Sequence, residues 1–191
     1  SGDVSAIAVV HVERMMGSDE QMFVVDMVIP IAPMGKRINL DAIKFFIEDL
    51  RNLGNMSITH VSFDQFQSES SIQYLKSVGF ECERLSVDLT TDPYFNLLSL
   101  IETNRLVSGR NIYIKNNLKS LKLVKIKTGD KVRYKVDHED SRSVITTGNE
   151  DWNKSMIGFF AKDTTDAIAA ACDLLRKYHP VAYDAWDPKY L

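Results

Sequence analysis

The sequence has few of the features that mark secreted and membrane proteins. It contains only two cysteines in 191 residues, Cys82 and Cys172, and they form no C-x-x-C pair, so we expect two buried, reduced thiols. No apolar run approaches the roughly 18 to 20 residues of a membrane helix, and the first residues lack a signal-peptide pattern. These absences and the chain length predict one compact cytoplasmic domain, residues 1–191.

Several common catalytic signatures are also missing. Residues 33–37 (PMGKR) contain Gly-Lys but lack the earlier glycine and the following Ser or Thr of a P-loop, and no G-x-S-x-G motif is present. The histidines show none of the spacings typical of zinc sites: His11, His60, His138 and His179. We expect His60 to be a strand residue whose ring is hydrogen-bonded, and His138 to be a candidate phosphate contact.

Positive charge is concentrated in one segment. The net charge of −3 argues against a generally basic nucleic-acid-binding protein. Between residues 115 and 135, however, Asp130 is the only acid among many basic residues: Lys115, Lys119, Lys122, Lys125, Lys127, Lys131, Arg133 and Lys135. A basic stripe on an acidic protein indicates a surface that contacts a phosphate backbone. The alternative is a hairpin whose lysines are simply solvated.

Hydrophobic periodicity predicts an α/β fold. The predicted strands are residues 4–13, 21–31, 57–64, 80–89, 111–114, 123–127 and 131–136. The predicted helices run from an Asn39 cap to Gly54, from a Ser68 cap to Gly79, and over residues 92–106, 116–122 and 164–178. Residues 137–161 are predicted to form a long loop. The alternation of elements predicts a mixed sheet, in which an antiparallel hairpin accompanies parallel strands, flanked by helices.

The basic segment itself is predicted to be an added β-hairpin that turns at residues 128–130. Its alternation of basic and apolar residues predicts that Lys125, Lys127, Arg133 and Lys135 share one face if the register is suitable. Together with Lys131, these residues are the predicted contacts to DNA phosphates.

Three aspartates occupy the ends of regular elements. Asp64 ends the apolar run 57–63, and Asp163 and Asp166 open the run that leads into the last helix. Carboxylates that converge in one cleft repel each other unless a cation lies among them, and hard divalent cations prefer such oxygen ligands. The pattern predicts metal-assisted phosphoryl chemistry. The alternatives are a turn role for Asp64 and helix capping for Asp163 and Asp166.

These motifs resemble one protein family, the nuclease of the terminase large subunit of tailed bacteriophages. Residues 62–68 (SFDQFQS), with Tyr74-Leu75 and Gly79-Phe80, resemble its middle motif, and residues 162–167 (KDTTDA) resemble its closing K-D-x-x-D-A motif. Residues 1–8 (SGDVSAIA) resemble the segment that follows its first strand. The order and spacing of the three motifs, over nearly the whole chain, carry the resemblance.

The resemblance implies an RNase H-like endonuclease that cuts concatemeric double-stranded viral DNA during genome packaging, in the host cell cytoplasm. It implies magnesium or manganese, with two ions, held by Asp64, Asp163 and Asp166 as catalytic ligands and by Asp3 as an accessory ligand. It also implies a portal and a small terminase subunit as partners. Because the chain begins at the Gly-Asp turn, we expect it to be a fragment that lacks the first strand, the leading aspartate and the ATPase domain.

Two other functions remain open at this point. Without the leading aspartate, the chain could be a non-catalytic DNA-binding or docking module. The same fold could also serve a junction resolvase or a transposase-like recombinase, which a preference for branched DNA would reveal.

Overall fold

The computed structural model describes residues 5–31, 38–64, 69–87, 89–109, 112–128, 131–138 and 163–179. The strands are β1 (Ser5–Arg14), β2 (Gln21–Ile31), β3 (His60–Phe63), β4 (Glu81–Arg84), β5 (Leu106–Ser108), β6 (Leu121–Thr128) and β7 (Lys131–His138). The helices are α1 (Leu40–Asn52), α2 (Glu69–Ser77), α3 (Asp92–Glu102), α4 (Ile112–Ser120) and α5 (Asp163–Tyr178).

The described residues form two units, each with its own sheet. The small unit, within Ala32–Ser86, contains α1, β3, α2 and β4, and its two strands are parallel. The large unit contains the remaining elements. Its sheet has the order β1-β2-β5, in which β1 is antiparallel and β5 parallel to β2, and β6 and β7 form a separate antiparallel pair. The prediction of an α/β fold with antiparallel and parallel strands and flanking helices is therefore confirmed.

The small unit follows the local signals of its sequence closely. The side chain of Asn39 caps α1 by accepting hydrogen bonds from the backbone N–H groups of Asp41 and Ala42, at 3.0 and 3.2 Å. Helix α2 ends at Ser77 and is followed by Gly79, whose φ of +91° is costly for residues with a Cβ atom. Phe80 N–H then reaches the carbonyl of Leu75 at 3.0 Å, which closes a Schellman motif. The hydrophobic core of the small unit comprises Ile47, Ile72, Leu75, Phe80 and Cys82.

The large unit buries one face of its sheet under α5. Phe23 and Val25 of β2 are 0% and 5% exposed, and α5 packs on both β1 and β2. Ile168, Ala169 and Cys172 of α5 are almost completely buried. The spacing of these three residues is that of one helix face, so the apolar stripe of α5 supplies the cover that the sheet needs.

Three boundaries differ from the prediction. The strands expected at 57–64 and 80–89 are confined to β3 and β4. The helix expected to reach Leu106 ends at Glu102, because Asn104 adopts a left-handed φ of 55° and Arg105 N–H returns to the carbonyl of Leu100 at 2.7 Å. Leu106 instead begins β5, a strand of three residues that the sequence pattern did not indicate.

The strand predicted at 111–114 is also wrong, because residues 112–114 begin α4. Ile114 and Asn117 are both buried and lie three residues apart, which places them on one helix face. The Ser68 cap and the loop from residue 139 to 161 lie outside the described residues, whereas Asp137 and His138 belong to β7. Among the helices described, none is both long and apolar enough to cross a membrane.

Candidate metal centre

The first turn of α5 brings two of the predicted ligands onto one helix. Asp163 is its first residue, and Asp166 follows three residues later, so the two carboxylates share one face. Both are half-buried rather than fully solvated. The backbone N–H groups of a first helical turn have no acceptor within the helix, and the helix dipole favours negative charge there. The first turn of α5 is therefore a favourable place for negatively charged side chains.

A buried tyrosine holds one of these carboxylates. The hydroxyl of Tyr94, on α3, donates a hydrogen bond to Oδ1 of Asp166. Tyr94 is only 5% exposed, so its ring is fixed by the surrounding core. A hydroxyl donor of this kind restricts the rotation of the carboxylate and leaves its other oxygen outside this hydrogen bond. Partners that orient a ligand in this way are a common part of metal sites.

The start of α5 is tied down at a second point. Nδ2 of Asn117, on α4, donates to the hydroxyl of Thr164 at 2.6 Å, and both residues are buried. Thr165, the next residue, is completely buried. Since a buried polar group that loses its partner is costly, this hydrogen bond fixes the helix start between the two aspartates.

Beyond the contact between Tyr94 and Asp166, further polar contacts join α3 and α5. Nδ2 of Asn96 on α3 donates to Oδ1 of Asp173 on α5 at 2.5 Å, and Arg176 donates to Oδ1 of Asn96. Tyr94 and Asp166 therefore form the first contact in a polar series between α3 and α5. A purely structural role for that contact, which is to set how the two helices align, is the simplest alternative to a role in a metal site.

Asp64 lies at the end of the parallel strand pair in the small unit. It follows β3 directly and is exposed. Leu85 N–H donates to the carbonyl of Phe63 at 2.9 Å, so the β3–β4 ladder extends to the residue just before Asp64. Side chains beyond the carboxyl ends of parallel strands lie where α/β proteins commonly place ligands. Asp64 thus occupies the kind of position that the sequence predicted.

The chemistry of these residues fits a hard divalent cation, because each offers carboxylate oxygens. Asp64 belongs to the small unit, and Asp163 and Asp166 belong to the large unit. Asp3, the predicted accessory ligand, lies outside the described residues. Within the ranges that the structure describes, no three His, Cys, Asp or Glu side chains form a group that could hold a metal ion. The predicted ligand set therefore stays a prediction.

The basic hairpin forms where it was predicted, but its register separates the basic residues. Lys125 pairs with Tyr134, whereas Val124 pairs with Lys135 and Ile126 with Arg133. Paired residues of antiparallel strands share a face, and neighbours along a strand alternate. Lys125 and Lys127 therefore lie on the face opposite to Arg133 and Lys135, and Lys131 belongs with the latter. The expected single face of Lys125, Lys127, Arg133 and Lys135 is wrong for this geometric reason.

Other side-chain predictions are confirmed. Both cysteines are free and buried, and burial raises the pKa of the Cys172 thiol to about 12, so that thiol is unreactive at neutral pH. Nδ1 of His60 lies 2.8 Å from the hydroxyl of Thr59, and its Nε2 lies 3.2 Å from Oε2 of Glu81. His60 is therefore a strand residue with a hydrogen-bonded ring.

Neither Tyr94 nor Asn117 was singled out from the sequence as a candidate site residue. A usable signal existed for Tyr94, because a buried tyrosine hydroxyl usually finds a hydrogen-bond partner. Which partner it finds depends on residues 72 positions away in the sequence. Comparisons with protein-family models, with curated proteins and with solved structures find no match to this chain.

Proposed function

We propose that this chain is a metal-dependent endonuclease that cleaves double-stranded DNA. The proposed activity is like that of the RNase H-like nuclease of the terminase large subunit, whose motifs the sequence resembles. The observation that carries the proposal is the start of α5, where Asp163 and Asp166 occupy the positions of the closing motif and a buried tyrosine hydroxyl holds Asp166. The biological setting that goes with it is the packaging of viral DNA in the host cell cytoplasm, with a portal and a small terminase subunit as partners.

In this proposal Asp64, Asp163 and Asp166 hold two magnesium or manganese ions. When bound, such ions supply Lewis-acid stabilisation of the negative charge that builds on the phosphate during hydrolysis. The chain contributes the rest. The first turn of α5 favours negatively charged side chains, Tyr94 holds one oxygen of Asp166, and Lys125 and Lys127 of β6 attract the DNA backbone.

Isosteric variants test the proposal. Plasmid cleavage in manganese should fall about 100-fold or more in Asp64→Asn and Asp166→Asn, because losing a ligand removes several kcal/mol of charge stabilisation. Asp173→Asn is the matched control, since it changes a carboxylate of the same helix that pairs with Asn96 and not with the candidate site. It should cleave at close to the native rate.

Three outcomes would count against the proposal. Undiminished cleavage by Asp64→Asn would remove Asp64 from the mechanism. Salt-sensitive DNA binding without nicking at any manganese or magnesium concentration would favour the non-catalytic DNA-binding module. Strong preference for branched over linear DNA would favour a resolvase or recombinase.

A further inference from the structure

The β6–β7 hairpin has two unlike faces. The register places Leu123, Lys125, Lys127, Tyr134 and the buried Val136 on one face, which we call the aromatic face. Lys122, Val124, Ile126, Lys135 and Asp137 fall on the other, which we call the mixed face. This division follows from the alternation of side chains along a strand and does not depend on the rotamers of the side chains.

The two faces differ in exposure. On the aromatic face, Tyr134 is 51% exposed and Leu123 is 45% exposed, and both lysines are exposed. On the mixed face, Val124, Ile126 and Lys135 are all half-buried. Tyr134 and Leu123 are diagonal neighbours across the two strands, so an exposed ring and an exposed aliphatic side chain lie close together on this face.

The two faces also differ in charge. Lys125 lies directly opposite Tyr134, and Leu123 and Lys127 are its diagonal neighbours, about 7–8 Å away between Cα atoms. The sequence places no acidic residue at any position of the aromatic face. On the mixed face, Lys122 lies opposite Asp137, so opposite charges face each other. Lys125 and Lys127 therefore have no acidic residue on their own face of the hairpin, whereas Lys122 has one directly opposite.

A partner of the aromatic face must match both its lysines and its exposed apolar side chains, Tyr134 and Leu123. A DNA duplex offers phosphates to the lysines, but its base faces are stacked inside the helix and leave Tyr134 and Leu123 against water. An unpaired strand offers phosphates and base faces together, and aromatic side chains beside basic ones are the usual means of binding it. An acidic protein surface would satisfy the lysines and leave the ring without a flat partner.

We propose that the aromatic face binds single-stranded nucleic acid, with a base stacked on Tyr134 and neighbouring phosphates at Lys125 and Lys127. This goes beyond the proposed nuclease activity, because it concerns a different substrate strand and needs none of the candidate metal ligands. It holds equally for a nuclease that encounters unpaired ends and for a non-catalytic binding module.

Tyrosine variants measure the stacking. The dissociation constants of the full chain for a labelled oligothymidylate and for a duplex of the same length are compared by fluorescence anisotropy. Tyr134→Ser should weaken single-strand binding about 5- to 150-fold, since stacking on one base accounts for that range. Tyr134→Phe keeps the ring and should bind the single strand almost as tightly as the native chain. Neither variant should change duplex binding to a comparable degree.

Lysine variants on opposite faces measure the phosphate contacts. Lys125→Gln and Lys122→Gln remove the same charge from the same strand, and both lysines are exposed, but they lie on opposite faces. Lys125→Gln should reduce the slope of log affinity against log salt by about 0.7, the value for one phosphate contact on a single strand. Lys122→Gln should leave the slope close to native.

Circular dichroism of each variant checks that the fold is retained, and Asp166→Asn separates this proposal from the nuclease. That variant should lose cleavage and keep single-strand binding, so failure of one proposal is visible without failure of the other. Equal losses in Lys122→Gln and Lys125→Gln would overturn the face assignment. Unchanged single-strand binding in Tyr134→Ser would overturn the stacking. So would displacement of the labelled oligonucleotide by poly-glutamate at concentrations as low as those of unlabelled oligonucleotide.

Discussion

Each unit contains a tyrosine hydroxyl that donates to a carboxylate on a neighbouring helix. In the small unit Tyr74 of α2 donates to Oε2 of Glu48 on α1 at 2.5 Å, and in the large unit Tyr94 of α3 donates to Oδ1 of Asp166 on α5. The donor and acceptor chemistry is the same. The carboxylates differ in place, because Glu48 lies in the interior of α1 and Asp166 lies in the first turn of α5.

That difference in place changes what the bond can do. Tyr74 also packs edge-to-face on Phe45, with the Lys44 ammonium 5.1 Å from its ring centre, so it belongs to a cluster that joins two helices. The hydrogen bond to Glu48 raises the pKa of Tyr74, which keeps the hydroxyl protonated as a donor. Tyr94 donates to a carboxylate that lies in the first turn of a helix, three residues from a second aspartate. In the small unit the contact joins two helices, and in the large unit we propose that it also orients a metal ligand.

The largest expected effect separates those two roles. Tyr94→Phe should lower manganese affinity or manganese-dependent cleavage about 10- to 100-fold, as is typical when a partner that orients a metal ligand is removed. Tyr74→Phe removes the same kind of bond and should leave both quantities at the native value. Manganese affinity measured by electron paramagnetic resonance and cleavage measured on plasmid check the pair.

Equal losses in the two tyrosine variants would show that both bonds act only on the fold. If Tyr94→Phe changed neither manganese affinity nor cleavage, other contacts would hold Asp166. Tyr94 would then have only a structural role between α3 and α5. Recovery of cleavage by Tyr94→Phe at higher manganese concentration, with native unfolding behaviour, would support orientation of the carboxylate.

An intermediate effect is expected where α5 begins. Asn117→Ala should lower the free energy of unfolding by about 1–3 kcal/mol, because it leaves the buried hydroxyl of Thr164 without its donor. Asn52→Ala, on the exposed surface of α1, should change it by less than about 0.5 kcal/mol. Urea unfolding of both variants measures the difference. Similar values for the two would show that the Asn117 contact does not anchor the helix.

The smallest expected effect comes from an exposed polar contact of the large unit. Nδ1 of His11 on β1 lies 2.6 Å from Oδ2 of Asp26, and its Nε2 lies 3.0 Å from Oε1 of Glu13. Hydrogen bonds first to Glu13 and then to Asp26 raise the pKa of His11. The charged imidazole therefore stabilises the folded state, and because His11 is 43% exposed we expect less than about 1 kcal/mol.

The pH dependence of this contribution has a defined sign. A pKa that is raised in the folded state gives a stabilisation that is complete below the unfolded value of about 6.5 and disappears as pH rises through the folded value. His11→Gln should thus destabilise the chain more at about pH 6 than at about pH 9, as measured by urea midpoints. A difference between native and variant that is independent of pH would contradict this account.

The sequence by itself determined the features that depend on neighbouring residues. The Asn39 cap, the helix end at Gly79 and the aspartates in the first turn of α5 were all predicted, because a cap or a left-handed glycine acts within a few residues of itself. The basic hairpin was predicted for the same reason, since its turn and its alternating strands are contiguous.

Only the tertiary structure decided which distant groups meet. Strand β5 has three residues and exists through its pairing with β2, so no local pattern reveals it. Tyr94 and Asp166 are 72 residues apart, and Asn117 and Thr164 are 47 apart. The two faces of the hairpin were likewise set by register, which shifts every side chain when it changes by one residue. Local sequence fixes caps and turns such as those at Asn39 and Gly79, whereas packing fixes which distant side chains become partners.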